Sequence, residues 1–435
     1  AGQYSSRFGK IEDLVLGLEV VLANGHVATL DAGSPHPGMP DFVQLLLGSE
    51  GTLGVITAVR VRIFPAPQTR RFAGFRFVDL TGGLEAMRSI MQTGLKPTLL
   101  RLYDPLDTAI NEFSQASEDV PEPGVGSRLL DEAMQRIMGS SFRDLASTLT
   151  GPAIRQICLH PLILQTLMDQ LPLTCQLVVG FEGDPAQTQE QVGVATELAV
   201  KASGKELGPG PGEHWFKHRY SVSFKLPKVF MQDALAETVE VAGLWRDVAR
   251  IYHDVRNGVM GKVLLMAHFS HAYREGCSIY FTMSGYSRTT KGLLDKYDLT
   301  IRAILSRAMK AGATVSHHHG IGLMKRAFIQ DEYRGGARLF WAAKQALDPA
   351  YVLNPDKIYP SSTPVPTRSK VEDRGDGLDF NSAVYWDYES SGRREITPEV
   401  PEEIPEILRL AVDADRVICC QGTLSATREA CRDDR

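Results

Sequence analysis

Three consecutive histidines form the segment of this sequence best suited to chemistry. They lie in the run SHHHGIG at residues 316–322. Imidazoles donate and accept hydrogen bonds and titrate near neutral pH, so neighbouring rings can move protons. The two glycines that follow indicate close approach of the backbone to another group. On an extended segment, His317 and His319 share one face and His318 takes the other.

The histidine run is open to three interpretations. An active site is the first, and a histidine-rich surface loop is the structural alternative. A metal site is the third, but it needs a third or fourth ligand. No nearby cysteine or carboxylate stands at a usual ligand spacing, so we assign no metal.

A glycine-rich turn that leads directly into a strand is the second signal. The sequence GSEGTLGVIT at residues 48–57 places three glycines within seven residues. A backbone without side chains lets a large planar ligand approach the peptide groups. The residues from Val55 to Phe64 then alternate as in a strand. A simple structural bulge is the alternative interpretation of the turn.

The elements around this turn predict a small β-rich region. Two apolar strands within residues 14–30 flank Asn24-Gly25, which is the strongest short signal for a hairpin. Asp41 can cap a short helix that stops at Gly48. The strand that follows the turn ends at PAP, residues 65–67, which predicts a domain boundary.

Beyond this boundary, predicted strands and helices alternate. A short turn joins predicted strands at 263–271 and 277–284, which favours an α+β domain with an antiparallel sheet. Residues 105–170 are predicted to be mostly helical, and residues 293–311 form an amphipathic helix. Residues 361–377 are polar and contain proline, as is typical of a linker.

Composition limits the function classes. The chain has 435 residues, 43% hydrophobic and 23% charged, which is typical of a globular protein with two or three domains. Its net charge of -5 argues against a general nucleic-acid binder. No apolar run approaches the roughly 20 residues that a membrane span requires. Six cysteines without zinc spacing indicate a reducing compartment. We therefore expect a cytoplasmic protein and leave attachment to a membrane surface open.

Together these motifs resemble a group of flavoproteins. The turn, with GKIEDLV at residues 9–15, is similar to the second half of the FAD-binding domain in the vanillyl-alcohol-oxidase and p-cresol-methylhydroxylase superfamily. Within it, the histidine run resembles the alkyldihydroxyacetonephosphate synthase family, or alkylglycerone phosphate synthases, of ether-lipid biosynthesis. The resemblance covers residues 1 to about 359. It also rests on RLYD at 101–104, SIYF at 278–281, LDP at 347–349 and LNP at 353–355.

The resemblance implies the fold class, the domains and the cofactor. The fold is α+β: the C-terminal half of a PCMH-type FAD-binding domain at 1–66, then an FAD-linked oxidase C-terminal cap domain with an antiparallel sheet at 67–360. Residues 361–435 are a linker followed by the start of a second FAD-binding domain, or a disordered tail. The cofactor is FAD. The family's pyrophosphate-binding subdomain would precede residue 1, so we expect the chain as given to lack it and to bind FAD poorly.

The resemblance also implies roles for individual residues. Tyr280 matches the acid/base that moves the substrate proton, whereas packing within its strand is the structural alternative. His319 is its expected partner among the three histidines, which are all assigned to catalysis. Arg101 matches a residue near flavin and substrate, whereas a salt bridge with Asp104 is its structural alternative. The cofactor residues are Glu50, Gly51, Thr52, Leu53, Gly54, Val55 and Ile56. Lys325 and Arg326 are assigned to the substrate phosphate, with a solvated helix start as the alternative.

The implied activity is a flavin-mediated exchange of an acyl for an alkyl chain on acyl-dihydroxyacetonephosphate. The competing hypothesis is an FAD-dependent dehydrogenase or oxidase of a D-2-hydroxy acid, such as D-lactate or glycolate. Those relatives carry Gly-Glu-His-Gly where this chain has HHHG at 317–320. A non-catalytic flavin-fold remnant is the third hypothesis. The expected partner is a small-molecule or lipid-phosphate substrate, without nucleic acid or a transmembrane segment, and a homodimer stays open.

Overall fold

A computed structural model describes residues 2–31, 40–115, 122–138, 158–220 and 234–358. The helices in this part of the chain are α1 (Ser5–Phe8), α2 (Ile11–Leu14), α3 (Phe42–Leu46), α4 (Leu80–Gln92), α5 (Pro105–Gln115), α6 (Val125–Met138), α7 (Pro161–Gln170), α8 (Pro185–Lys201), α9 (Gly210–His218), α10 (Trp245–Val259), α11 (Thr290–Lys310), α12 (Arg326–Tyr333) and α13 (Gly336–Leu347). The strands are β1 (Val15–Val21), β2 (Val27–Asp31), β3 (Val55–Val61), β4 (Thr69–Phe77), β5 (Leu99–Tyr103), β6 (Cys175–Gly183), β7 (Lys205–Gly208), β8 (Ala234–Leu244), β9 (Leu264–Ser270) and β10 (Gly276–Tyr286).

Contacts divide the described residues into two units. The first unit contains residues 2–9 and 65–318, and the second contains residues 10–64 and 319–358. The domain limits predicted from the sequence place residues 319–358 in the cap domain instead, and they stay a prediction. The linker and second FAD-binding domain predicted for residues 361–435 lie outside the described residues.

The first unit is built on a seven-stranded sheet with the order β7-β4-β6-β5-β9-β10-β8. All of its neighbouring strands pair antiparallel. Strand β6 is buried over nearly its whole length, because it lies inside the sheet. The largest fully buried side chains of this unit include Phe75, Phe77, Phe181, Phe269 and Phe281.

Burial along strand β10 distinguishes the two faces of this sheet: one packs into the core and the other carries polar side chains. Ile279 and Phe281 are fully buried, whereas Tyr280 and Thr282 between and beyond them are half-buried. Alternate residues of a strand point to opposite faces. Tyr280 therefore lies on the face opposite Ile279 and Phe281.

Strand β8 was not predicted from the sequence. It pairs with β10 along its entire length, from Ala234 opposite Tyr286 to Leu244 opposite Gly276. Glutamate is disfavoured in strands, and Glu237 and Glu240 interrupt its apolar pattern. The pairing with β10 overrides that local preference.

The second unit contains a three-stranded sheet with the order β2-β1-β3. Strands β1 and β2 form the predicted hairpin, with Val21 opposite Val27. The predicted cap of α3 is confirmed, because Asp41 Oδ1 accepts a hydrogen bond from Gln44 N at 3.0 Å. Leu53 is fully buried in a core that α3 and α13 complete.

The observed helices and antiparallel sheets confirm the predicted α+β class. None of the described helices combines the length and the apolarity that crossing a bilayer requires.

Candidate active site

Glu240, Tyr280 and His268 form a row across three neighbouring strands of the first unit. Tyr280 on β10 pairs in register with Glu240 on β8 and with His268 on β9. Directly opposed residues of antiparallel strands point to the same face of the sheet. The row therefore places a carboxylate, a phenol and an imidazole side by side on the polar face.

The hydroxyl of Tyr280 contacts the histidine run. Its Oη lies 2.7 Å from Nε2 of His318, and the ring of His268 stacks on the phenol at 4.7 Å between centroids. Burial, and then the charge of Glu240, raises the pKa of Tyr280 well above its usual range. The phenol is therefore protonated at neutral pH. The expected partner was His319, and the structure gives this contact to His318 instead.

The carboxylate of Glu240 is fully buried beside the histidines. It accepts hydrogen bonds from the backbone N–H of His317 at 2.9 and 3.0 Å and from Oγ of Ser316 at 3.2 Å. Its Oε1 lies 3.2 Å from Nδ1 of His318 and 3.7 Å from Nδ1 of His317. No carboxylate stands close to the histidines along the chain, but Glu240 supplies one from a strand 77 residues before His317.

The histidine run is bent, so the expected alternation of its side chains is wrong. The rings of His317 and His318 meet edge to face at 5.1 Å, with their Nδ1 atoms 2.9 Å apart. Both rings lie beside Glu240 because the chain turns at 317–319 instead of continuing as a strand. His319 is exposed and belongs to the second unit.

His271 is a further imidazole that sequence reasoning missed. Its Nδ1 lies 2.6 Å from Oγ of Ser5, which also accepts a hydrogen bond from Tyr273 at 2.9 Å. Its ring is 4.5 Å from that of His318. Burial, and then the neighbouring His318 and His317, lowers the pKa of His271 to about 2, so the ring is neutral. The segment AHFSHAY at 267–273, with two histidines at a strand end, is the signal that could have identified it.

Arg101 on β5 joins the same row through His268. Its Nη2 lies 2.7 Å from Nε2 of His268, whose Nδ1 lies 3.2 Å from Asp107. A guanidinium only donates, so Nε2 of His268 accepts and its Nδ1 carries the hydrogen toward Asp107. The Nε of Arg101 is buried and has no hydrogen-bond partner among the described residues. The guanidinium of Arg101 is thus bonded to His268 through Nη2, and the alternative salt bridge with Asp104 is not formed.

In the second unit, the glycine turn is tied to the loop that follows the histidines. Glu50 adopts a φ of 53°, which is rare for a residue with a side chain. Its carboxylate accepts hydrogen bonds from the N–H groups of Ile321 at 2.5 Å and Gly322 at 2.8 Å. Asn354 of the LNP motif donates to the carbonyl of Glu50 at 2.5 Å. Glu50 therefore fixes the conformation of residues 320–322.

The glycines of the turn are required for different physical reasons. A Cβ at Gly54 would lie 2.5 Å from Cγ2 of Val20, so the close approach at this position is made by β1 and not by a ligand. A Cβ at Gly48 would meet nothing within 4 Å. Gly51 has a φ of 71° and is half-buried, and no described backbone carbonyl accepts a hydrogen bond from its N–H. The turn thus presents one backbone donor.

The other predicted cofactor residues follow Gly51 along the chain. Thr52 is buried, and Val55 and Ile56 begin β3 with Val55 half-buried and Ile56 exposed. The buried ammonium of Lys344 donates to the carbonyl of Thr52 at 2.8 Å and pairs with Asp348 of the LDP motif. This buried pair holds the turn in place.

Lys325 and Arg326 stand at the start of α12. Lys325 is only 4% exposed, so a solvated helix start does not describe it. Arg326 donates to the carbonyl of Asp356 at 3.1 Å. Phosphate binding by either residue stays a prediction.

Comparison with known proteins gives concordant matches. The family model described as FAD linked oxidases, C-terminal domain, matches residues 66–358. The chain is 28% identical over 378 residues to an alkyldihydroxyacetonephosphate synthase of Trypanosoma brucei brucei, covering 83% of this chain and 55% of that protein. It is 22% identical to glycolate oxidase subunit GlcD of Bacillus subtilis, covering 81% of this chain and 64% of that protein. A solved alkyldihydroxyacetonephosphate synthase structure aligns with a TM-score of 0.53 at 19% identity, covering 80% of this chain and 54% of the other. The part of this chain that matches the Trypanosoma synthase covers 55% of that protein, so the chain spans about half its length.

Proposed function

Because this chain belongs to the FAD-linked oxidase family, we propose that it serves a flavin-dependent exchange of an acyl for an alkyl chain on a phosphorylated keto substrate. One observation carries the proposal: Oη of Tyr280 lies 2.7 Å from Nε2 of His318, which in turn faces the buried carboxylate of Glu240. A protonated phenol, an imidazole and a carboxylate in this order can move a proton in both directions.

The cofactor of this family is FAD, and the second unit has features that fit part of it. The turn offers the N–H group of Gly51 as a donor, and Gly51 has no side chain to block a ring that lies against the backbone. Flavin carbonyls and ring nitrogens accept such hydrogen bonds. When bound, FAD supplies a ring system that can accept an electron pair.

The relay begins at the hydroxyl of Tyr280. With the hydrogen of His318 on Nδ1 and directed to Glu240, Nε2 holds a lone pair and accepts from the phenol. The phenol alone is a poor base, because its raised pKa keeps it protonated. Tyr280 takes a substrate proton only as it passes its own proton to His318. The imidazolium that results faces the carboxylate of Glu240, as in a catalytic triad.

The exchange conserves electrons overall. The bond between the substrate carbon and the departing carboxylate breaks, and a bond from the same carbon to the alcohol oxygen forms. The proton on the carbon next to the keto group is removed and later restored, and Tyr280 is the group that carries it. The proton lost by the alcohol leaves with the released acid.

Arg101 is the group we assign to an anionic part of the substrate. Its guanidinium is permanently charged, and the hydrogen on its buried Nε meets no described acceptor. A buried donor without a partner is costly, so a ligand oxygen at this position has a binding advantage. The contact with His268 holds the guanidinium in the row that contains Tyr280.

A D-2-hydroxy acid dehydrogenase or oxidase is the second candidate, and Glu240 is the observation that favours it. That chemistry needs a base for the hydroxyl proton. Sequence relatives with this activity place a glutamate in the motif where this chain has His318. Glu240 restores a carboxylate at 3.2 Å from Nδ1 of His318.

Anaerobic rapid mixing of the FAD-containing protein separates the two candidates. With an acylated dihydroxyacetonephosphate and a long-chain alcohol, we expect an alkyl ether product and no lasting loss of the oxidised flavin absorbance. Tyr280→Phe should slow this reaction by about 100-fold or more. Tyr286→Phe, on the same strand and the same face, is the matched control and should react like the wild type.

Rapid and stoichiometric bleaching by D-lactate or glycolate, without ether formation, would contradict the exchange and support the hydroxy-acid candidate. Equal rates for Tyr280→Phe and Tyr286→Phe with every substrate would remove Tyr280 from both mechanisms.

A further inference from the structure

Three Lewis-basic atoms converge in the first unit at Glu240, His317 and His318. The Nδ1 atoms of the two imidazoles are 2.9 Å apart. Oε1 of Glu240 lies 3.2 Å from Nδ1 of His318 and 3.7 Å from Nδ1 of His317. One ligand atom from each residue falls within a group that could hold a metal ion.

The separations of these atoms suit a four-coordinate ion. Zinc binds histidine nitrogen and carboxylate oxygen at about 2.0 to 2.2 Å, so tetrahedral ligand atoms stand about 3.3 Å from one another. The observed distances of 2.9, 3.2 and 3.7 Å lie on both sides of that value.

The surroundings of the three residues are those of a built site. Glu240 is fully buried, and the N–H of His317 and the hydroxyl of Ser316 orient its carboxylate. The hydroxyl of Tyr280 holds the other nitrogen of His318 at 2.7 Å. Hydrogen bonds of this kind to the far side of a metal ligand fix its orientation and increase affinity.

A proton is the alternative occupant of the space between the two Nδ1 atoms and the carboxylate of Glu240. Two Nδ1 atoms at 2.9 Å cannot both carry hydrogen, because the two hydrogens would collide. At least one lone pair therefore faces the space that the carboxylate shares. A divalent cation there also offsets the buried negative charge of Glu240.

We propose that Glu240, His317 and His318 form a binding site for one zinc ion. Two imidazoles and one carboxylate are a zinc ligand set with an open fourth position, whereas calcium and magnesium prefer oxygen ligands. The imidazole side chains keep 10% and 12% exposure, which leaves access for the ion.

Zinc on Nδ1 of His318 excludes the proton that the relay needs there. Nε2 must then carry the hydrogen and donate it to Tyr280, so the phenol can no longer pass a proton to it. Bound zinc therefore switches the relay off. This consequence rests on the proposed function, whereas the site itself does not.

Zinc binding to the chelator-treated chain tests the site without any activity assay. In calorimetric titration with Zn²⁺ alone, we expect one ion per chain with a Kd of about 1 μM or tighter. Glu240→Gln keeps the shape of the side chain and should weaken binding by about 100-fold or more, beyond the roughly 10- to 100-fold typical when a residue that only hydrogen-bonds to a metal ligand is replaced. His317→Gln should do the same, and circular dichroism reports whether each variant is folded.

A histidine pair elsewhere in the unit provides the matched control. His214 and His218 lie on α9 with their rings 4.2 Å apart, and such a pair can bind zinc adventitiously. The double variant His214→Gln/His218→Gln should keep the tight site. Co²⁺ bound in place of zinc should show the intense visible bands of tetrahedral coordination, and Glu240→Gln should lose them.

Three results would each overturn the proposal. The first is no zinc binding by the wild-type chain. The second is unchanged binding by folded Glu240→Gln and His317→Gln. The third is loss of binding in the His214→Gln/His218→Gln variant alone, which would assign the zinc to the helix surface.

Discussion

Replacing Glu50 with glutamine tests how the second unit holds the loop after the histidines. The carboxylate accepts from the N–H groups of Ile321 at 2.5 Å and Gly322 at 2.8 Å. Glutamine keeps one acceptor oxygen but places an NH₂ group against the second N–H. One charge-assisted bond is lost and one donor is left without an acceptor.

The expected cost follows from these two contacts. A hydrogen bond to a charged group contributes about 1.5–3 kcal/mol, and an unsatisfied donor costs about 1–3 kcal/mol. The bonds are half-buried, so we take about 2 kcal/mol. This corresponds to an increase of roughly 30-fold in the opening equilibrium of the loop.

Amide hydrogen exchange at residues 320–322 measures this opening directly. Protection of Ile321 and Gly322 should fall by about 30-fold in Glu50→Gln, while strand β1 keeps its protection. Asp331→Asn removes one negative charge from an exposed position of the same unit and should leave both amides unchanged. Equal protection in Glu50→Gln and Asp331→Asn would refute the assignment of these bonds.

Three further predictions follow from local geometry. Gly54→Ala should lower the thermal midpoint, because its Cβ would lie 2.5 Å from Val20 and such overpacking costs about 1–3 kcal/mol. Gly48→Ala has open space around its Cβ and should cost only about 1 kcal/mol from its positive φ. Equal thermal midpoints for the two variants would contradict this prediction. Burial raises the pKa of Asp104 to about 7, above about 3.9 in the unfolded chain, so the folded state holds the extra proton and stability from this group falls as pH rises from about 4 to 7. Urea unfolding at several pH values should show that Asp104→Asn removes this part of the slope, and an unchanged slope would exclude it. Arg101→Lys should raise KM for a phosphorylated substrate about tenfold or more, with less effect on kcat, since a charge-assisted bond contributes about 1.5–3 kcal/mol; an effect on kcat alone would argue against substrate binding.

Local signals in the sequence were sufficient for much of the fold. Asn24-Gly25 set the hairpin of β1 and β2, and Asp41 set the start of α3, because turn and cap preferences act within a few residues. The strand predicted at 277–284 lies within the observed β10. These features need no knowledge of distant contacts.

The parts that the sequence did not predict depend on distant pairing. Glu240 reaches the histidines only because β8 pairs with β10, and a glutamate between valines gives little sign of a strand. The bend of the histidine run depends on contacts with Glu240, so alternation along an extended chain was the wrong model. Gly54 illustrates a third limit, because a glycine signals close approach without telling whether a ligand or β1 approaches.

The exchange of substrate hydrogen in heavy water tests the proton relay most directly. The FAD-containing protein is incubated with the acylated keto substrate in D₂O, and mass spectrometry follows deuterium entry next to the keto group. We predict that Tyr280→Phe slows this exchange by about 100-fold or more, that Glu240→Gln slows it by about tenfold or more, and that Tyr286→Phe leaves it unchanged. Exchange at the wild-type rate in Tyr280→Phe would contradict the relay, whatever the overall reaction proves to be.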